Sequence, residues 1–201
     1  VGAPIAQMGS LGTFLYGFLL RLTGAVGLHH TIYPLFWYTS LGGTESVAGV
    51  TVSGAQNIFF AQLADPNHTG LFTYGTRFFA GRFATMMFGL PAGAFAIYQC
   101  ARPEKKNVTA SLMLAAGFAA FFTGVTEPLE FSFMFVAWPL YVLHAVFTGI
   151  SLAFAAFMHW TAGFAFSAGF VDFFLSLKNP VANHPMMLVV QGLVFAAIYY
   201  F

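Results

Sequence analysis

The sequence predicts an all-α membrane protein, and three observations carry that prediction. Its 201 residues are 59% hydrophobic and only 6% charged, whereas soluble domains carry roughly 25% charged residues. Apolar stretches around residues 11–29, 78–100, 108–125, 131–158 and 186–201 are long enough to span or re-enter a bilayer, since a spanning helix needs about 20 mostly apolar residues. Two of the apolar runs are interrupted, one at Gly89-Leu90-Pro91 and one between Gly124 and Pro128. Roughly five to seven membrane-embedded segments are expected.

The elements follow in order. The chain starts at Val1 and turns apolar almost at once, without the charged n-region or cleavage site of a signal peptide; it reads as a fragment of a longer membrane protein. Residues 11–28, LGTFLYGFLLRLTGAVGL, form a plausible membrane helix carrying a single charge, Arg21. Residues 29–77 mix aromatics with Gly, Asn, Gln and Thr and contain nothing long enough to span. They form either an extramembrane loop or a partly embedded segment lining a cavity, because irregular backbone at membrane depth needs protein or water to satisfy it. Arg102, Lys105 and Lys106 then cluster between two apolar segments, which places that loop on the cytoplasmic side. Residues 161–180 read as a loop or a surface helix, and 186–201 as a terminal span.

The interrupted runs point to a binding site, because unwound backbone and half-helix ends supply hydrogen-bonding groups inside transporters. Around the second break stand Glu127 and Glu130, two of only six acidic residues. A carboxylate at a helix centre in hydrocarbon costs about 2.5–3.5 kcal/mol on the insertion scales, so it is turned toward a cavity or kept at the headgroups. Either the pair faces a cavity, or it decorates a helix N-terminus at the interface, with Pro128 in the first turn. Arg21 is central in its apolar stretch, so it lines a cavity or pairs with an acidic residue outside this chain. His29 lies eight positions on, about 12 Å along a helix and roughly 80° round; if the helix runs that far, both line one cavity and His30 points elsewhere. Gln56, Asn57, Asp65, Asn67, His68, Thr69 and Arg82 offer hydroxyl-binding groups among aromatics, or else form a solvated loop.

Other chemistries lack support. Zinc needs three or four ligands, and beyond His29-His30 the histidines are scattered singly, so neither a metal nor another cofactor is indicated. Ser has no GxSxG context. The single cysteine, Cys100, reads as a small buried residue near a helix end. A net charge of +1 suggests no nucleic-acid partner.

Three stretches together, YGFLLRLTGAVGLHH, RFATMMFGLPAGAFAIYQCARPEKK and GVTEPLEFSFMFVAWPLYVLHA, resemble the membrane-embedded IIC component of the bacterial phosphoenolpyruvate-dependent sugar phosphotransferase system, in its glucose superfamily. The resemblance runs from about residue 14 to 201. It implies transmembrane helices plus two re-entrant hairpins in an elevator-type transporter, homodimeric, multi-pass in the bacterial cytoplasmic membrane. Residues 1–201 would be the C-terminal sugar-binding part, with the N-terminal dimerisation scaffold mostly absent and the IIB and IIA domains absent. The two interruptions would be the hairpin regions. The implied activity is sugar translocation across the bilayer coupled to phosphorylation, with a IIB domain, separate or fused, as partner. The chain would thus be the membrane subunit of a sugar phosphotransferase whose phosphoryl-carrying cysteine lies on that other domain.

By the same resemblance, Arg21, His29, Thr126 and Glu127 bind the sugar, Glu127 is also the candidate catalytic base for the 6-hydroxyl, and His30 and Glu130 brace the site. The segment from Thr39 to Met87 looks more like that of maltose-type members than of glucose or N-acetylglucosamine members. Maltose or a related glucoside is the expected substrate, with glucose or N-acetylglucosamine as the alternative, and an ion-coupled secondary sugar transporter as the competing mechanism.

Overall fold

The computed structural model describes residues 2–68, 74–179 and 182–201, and these are mostly helical. Short α1 (Gly2–Gln7) leads into α2 (Gly9–Gly24), which stops sooner than its apolar pattern suggests. Gly27, at φ +73°, takes the left-handed conformation; the Leu28 N–H then bonds the Thr23 carbonyl at 3.0 Å and the Gly27 N–H bonds Gly24 at 3.1 Å. This pair of reversed bonds closes a helix end that only a residue without Cβ reaches cheaply. The chain restarts as α3 (His29–Tyr38), so Arg21 and His29 lie on two helices rather than one.

The segment after α3 adds a short hairpin to an otherwise helical fold. Two strands, β1 (Thr44–Val47) and β2 (Val50–Ser53), pair antiparallel with Val47 opposite Val50. Their two-residue connection, Ala48 and Gly49, has φ of +51° and +79°, the double positive φ that matches the twist of a hairpin. β-Branched Val and Thr in an AG-centred run were the signal for it. Helix α4 (Ala55–Ala64) follows, and no element between residues 29 and 68 is long enough to span, as expected.

The interruption expected at Gly89-Leu90-Pro91 is absent. Helix α5 (Gly81–Phe83), a π-helical stretch (Ala84–Gly89) and α6 (Leu90–Gln99) run on continuously, with helical dihedrals at Gly89 and Leu90. Pro91 follows directly on the π-helical turn, whose wider spacing accommodates a residue that donates no N–H bond. A widened turn absorbs the sequence irregularity instead of an unwound one. Cys100, just beyond α6, is exposed rather than buried, because the chain there is already leaving for the exposed basic loop at Arg102–Lys106.

The second interruption is real. Helix α7 (Lys106–Thr123) ends on Gly124 at φ +72°, Val125 and Thr126 are outside any helix, and α8 (Glu127–Met134) begins with Pro128 in its first turn. A second gap at Phe135–Ala137 separates α8 from α9 (Trp138–Phe157). Among the described residues α9 is the one helix long and apolar enough to cross a membrane. After an irregular stretch come α10 (Phe170–Leu177), which answers the loop-or-surface-helix alternative for 161–180, and the 14-residue apolar α11 (Met187–Tyr200).

The centre of the fold is the packing of α2 along α9. A Cβ on Gly17 would sit 2.5 Å from Leu152 Cδ1, and one on Gly149 would sit 2.8 Å from the Phe14 carbonyl oxygen. Small residues on both helices thus let the backbones approach closely, the main source of helix association where lipid removes the hydrophobic drive. Ser151 on α9 donates to the Gly81 carbonyl at 2.6 Å, and Gln191 of α11 donates to Ser151 at 2.9 Å. Beside this seam, Tyr16, Phe36, Phe78, Phe79, Phe83 and Phe164 form a buried aromatic core, with tilted and edge-on ring contacts of about 5–6 Å that suit the ring quadrupole.

Candidate functional site

Helix α2 carries Arg21 into the interior, where its side chain is 9% exposed. Its Nη1 donates to Glu130 Oε1 at 2.5 Å and to Thr126 Oγ1 at 3.2 Å. The partner is therefore within this chain, and the alternative that Glu130 decorates an interfacial helix end does not hold. The break after α7 explains the geometry: it turns α8 so that its first residues meet α2, and Glu130, one turn in, faces Arg21. Tyr141 of α9 donates to the Arg21 carbonyl at 2.5 Å, fixing the backbone that bears the guanidinium.

Two residues outside the sequence-predicted set complete this network. His144 Nε2 lies 3.6 Å from Glu130 Oε1, and its Nδ1 is 2.6 Å from the Tyr199 hydroxyl. Both belong to helices otherwise read as plain spans, and an isolated His in an apolar run was the only signal. Such buried polar groups are costly unless linked, and here Arg21, Thr126, Glu130, His144 and Tyr199 are linked.

His144 and Tyr199 face a different cavity, whereas Arg21, Thr126 and Glu130 of this network line one of about 280 Å³. Arg21, His29, His30, Thr126, Glu127 and Glu130 all line it, so the structure brings together the six residues that the family resemblance assigns to the site. His30 faces the cavity rather than elsewhere, because α3 starts at His29 and its first turn presents both rings; their centroids lie 4.0 Å apart with the planes tilted by 36°, and His30 Nδ1 is 3.3 Å from the Tyr33 hydroxyl. The two glutamates differ sharply. Glu130 is buried in the ion pair, whereas Glu127 is exposed at the start of α8 with no ion pair among the described residues. Arg21 Nε and Nη2 and His29 Nδ1 have no hydrogen-bond partner among the described residues. These are donors or acceptors that a polyhydroxylated ligand would satisfy.

The opposite wall is aromatic. Tyr33 and Trp37, one turn apart on α3, line the cavity with rings 4.6 Å apart, and Trp37 Nε1 donates to the Tyr16 hydroxyl at 3.1 Å. Phe131, Phe166 and Ser167 complete the mouth. Asp172 holds that edge in place by accepting from the N–H groups of Ala165, Phe166 and Ser167 at 3.1–3.3 Å, and Ser167 Oγ donates to the Gly124 carbonyl at 2.9 Å. Of the loop polar groups considered from the sequence, only Arg82 lines this cavity. Gln56 is buried and donates to the Phe164 carbonyl at 3.1 Å, Asn57 donates to Ser53, and Asp65 accepts from Asn67. Asp65 and His68 line a different cavity, and Thr69 lies outside the described residues. No group of three or more metal-ligating side chains occurs among the described residues.

Comparison with protein families gives a match to the family described as phosphotransferase system, EIIC, over residues 4–149. The matched range contains α2, the α7–α8 break and every expected site residue. The chain belongs to the EIIC family of the phosphotransferase system, membrane proteins that transport sugar in a step coupled to its phosphorylation and that work with a IIB partner.

Proposed function

We propose that residues 1–201 form the sugar-binding part of an EIIC component, and that the cavity beside the Arg21–Glu130 pair holds the sugar for phosphorylation. The observation that carries this reading is the convergence of Arg21, His29, Thr126 and Glu127 on one cavity with an aromatic wall. Arg21 and His29 donate to sugar hydroxyls, Thr126 adds a hydroxyl, and Tyr33 and Trp37 offer apolar faces to the ring. Glu130 and His30 brace the binding groups. Glu127, free of an ion pair among the described residues, takes the 6-hydroxyl proton as general base when a phosphocysteine of the IIB domain delivers its phosphoryl group.

Helix α8, at eight residues, is about 12 Å long and cannot cross a roughly 30 Å hydrocarbon core. It is proposed as the re-entrant arm whose N-terminus reaches the sugar, within a multi-pass, elevator-type transporter that dimerises through a scaffold outside residues 1–201. The cavity of about 280 Å³ is just below the usual range for ligand pockets, about 300–1,000 Å³. It suits one pyranose ring inside, with the second ring of maltose or a related glucoside in the mouth by Phe131 and Phe166.

The test is a calorimetric binding panel of maltose, trehalose, sucrose, glucose and N-acetylglucosamine on the intact protein. Maltose or another glucoside binding most tightly supports the substrate assignment, and glucose-only or N-acetylglucosamine-only binding overturns it. Uptake that persists in cells lacking the phosphotransfer proteins would replace coupling with ion-driven transport.

A further inference from the structure

Arg82 is the unexplained charge of the cavity. It stands in the short α5 turn, lines the same cavity as Arg21 and Glu127, and has its guanidinium carbon 5.2 Å from the centroid of the Phe164 ring. Its Nε is buried without a hydrogen-bond partner, and it makes no ion pair among the described residues. Arg21, by contrast, is neutralised by Glu130 at 2.5 Å. Arg82 is half-buried, and a guanidinium partly withdrawn from water with no carboxylate within ion-pair distance among the described residues is costly, whereas a neutral sugar does not require it. What does require it is an anion, and the planar fork of arginine matches phosphate oxygens two at a time.

Resting on the reading of this cavity as the site of sugar phosphorylation, we propose that Arg82 is the phosphate-binding residue, holding the phosphoryl group during transfer and the sugar 6-phosphate afterwards. In the step, the S–P bond of the donor phosphocysteine breaks and the O6–P bond forms; cysteine leaves as thiolate, and the hydroxyl proton passes to the Glu127 carboxylate. Charge accumulates on the three non-bridging oxygens, and a prepositioned cation stabilises it. The sugar itself is held by Arg21 and His29, so the two cations of the cavity divide the work between neutral and anionic parts of the ligand.

The experiment compares the affinity of the intact protein for the sugar and for its 6-phosphate in wild type, Arg82→Gln and Arg82→Lys. Arg82→Gln is expected to weaken 6-phosphate binding about tenfold or more while sugar affinity changes less than about twofold, and Arg82→Lys, a cation without the fork, to fall between. Phosphorylation by the phosphorylated IIB partner drops in the same order. If Arg82→Gln does not fold, the Arg82→Lys pair is decisive: a loss for the 6-phosphate alone supports the assignment. Equal losses for both ligands, or no loss for either, overturn it. Wild-type protein that binds neither ligand would instead refute the sugar site, a failure separate from that of Arg82.

Discussion

Arg21 and Glu130, 109 residues apart in the chain, meet with Nη1 2.5 Å from Oε1, both side chains almost excluded from solvent. Removing one partner leaves a buried charge uncompensated, at a cost of about 3–5 kcal/mol. Glu130→Gln is therefore expected to lower thermal stability strongly and to abolish sugar binding. Arg21→Met combined with Glu130→Leu should recover much of the stability and none of the binding, as read by thermal unfolding and calorimetry. A stable Glu130→Gln variant with unchanged affinity would show that the pair does not organise the cavity.

Gly124 sets the break that aims α8 at Arg21. Its φ of +72° disfavours any other residue, and a Cβ there would lie 2.7 Å from Ser167 Oγ and 2.8 Å from the Gly169 nitrogen. Gly124→Ala should destabilise by roughly 1–3 kcal/mol, the left-handed cost plus the clash, and weaken sugar binding although residue 124 offers the ligand no side chain. Calorimetric affinity equal to wild type would contradict this.

Gly149 tests the framework independently of the site. Gly149→Val places its side chain against the Phe14 carbonyl on α2, and overpacking of this kind costs about 1–3 kcal/mol. Lower thermal stability is expected, together with weaker sugar binding, because α2 carries Arg21. A variant as stable as wild type would mean that α2 and α9 do not depend on close backbone approach.

Much of this site was legible in the sequence because its cost was legible. A central Arg21 and a Glu-Pro break in an apolar run demand a compensating interior, and the structure supplies it. What local pattern could not give was the pairing across 109 residues, which decides that Glu130 rather than Glu127 neutralises Arg21. His144 and Tyr199 escaped notice because one polar atom in a long apolar helix carries no periodic signal. Gly89-Leu90-Pro91 does not break the chain because the π-helical stretch before Pro91 lets the helical path continue. The hairpin at 44–53 is signalled by its AG turn and β-branched flanks, but strands of four residues are too short for alternation to stand out in a helical chain. His30 reaches the cavity because Gly27 makes two helices of what the apolar pattern suggests is one.

Glu127 is exposed at the cavity, outside any described ion pair, so its loss should leave the fold intact, within about 0.5 kcal/mol, and remove only the chemistry. The most direct measurement is single-turnover phosphorylation of bound sugar by the phosphorylated IIB partner, wild type against Glu127→Gln, with sugar occupancy measured in the same samples. The account predicts occupancy retained and the phosphorylation rate lower by about 10²–10⁴, the contribution of a positioned general base. Phosphorylation at the wild-type rate by fully occupied Glu127→Gln would contradict it.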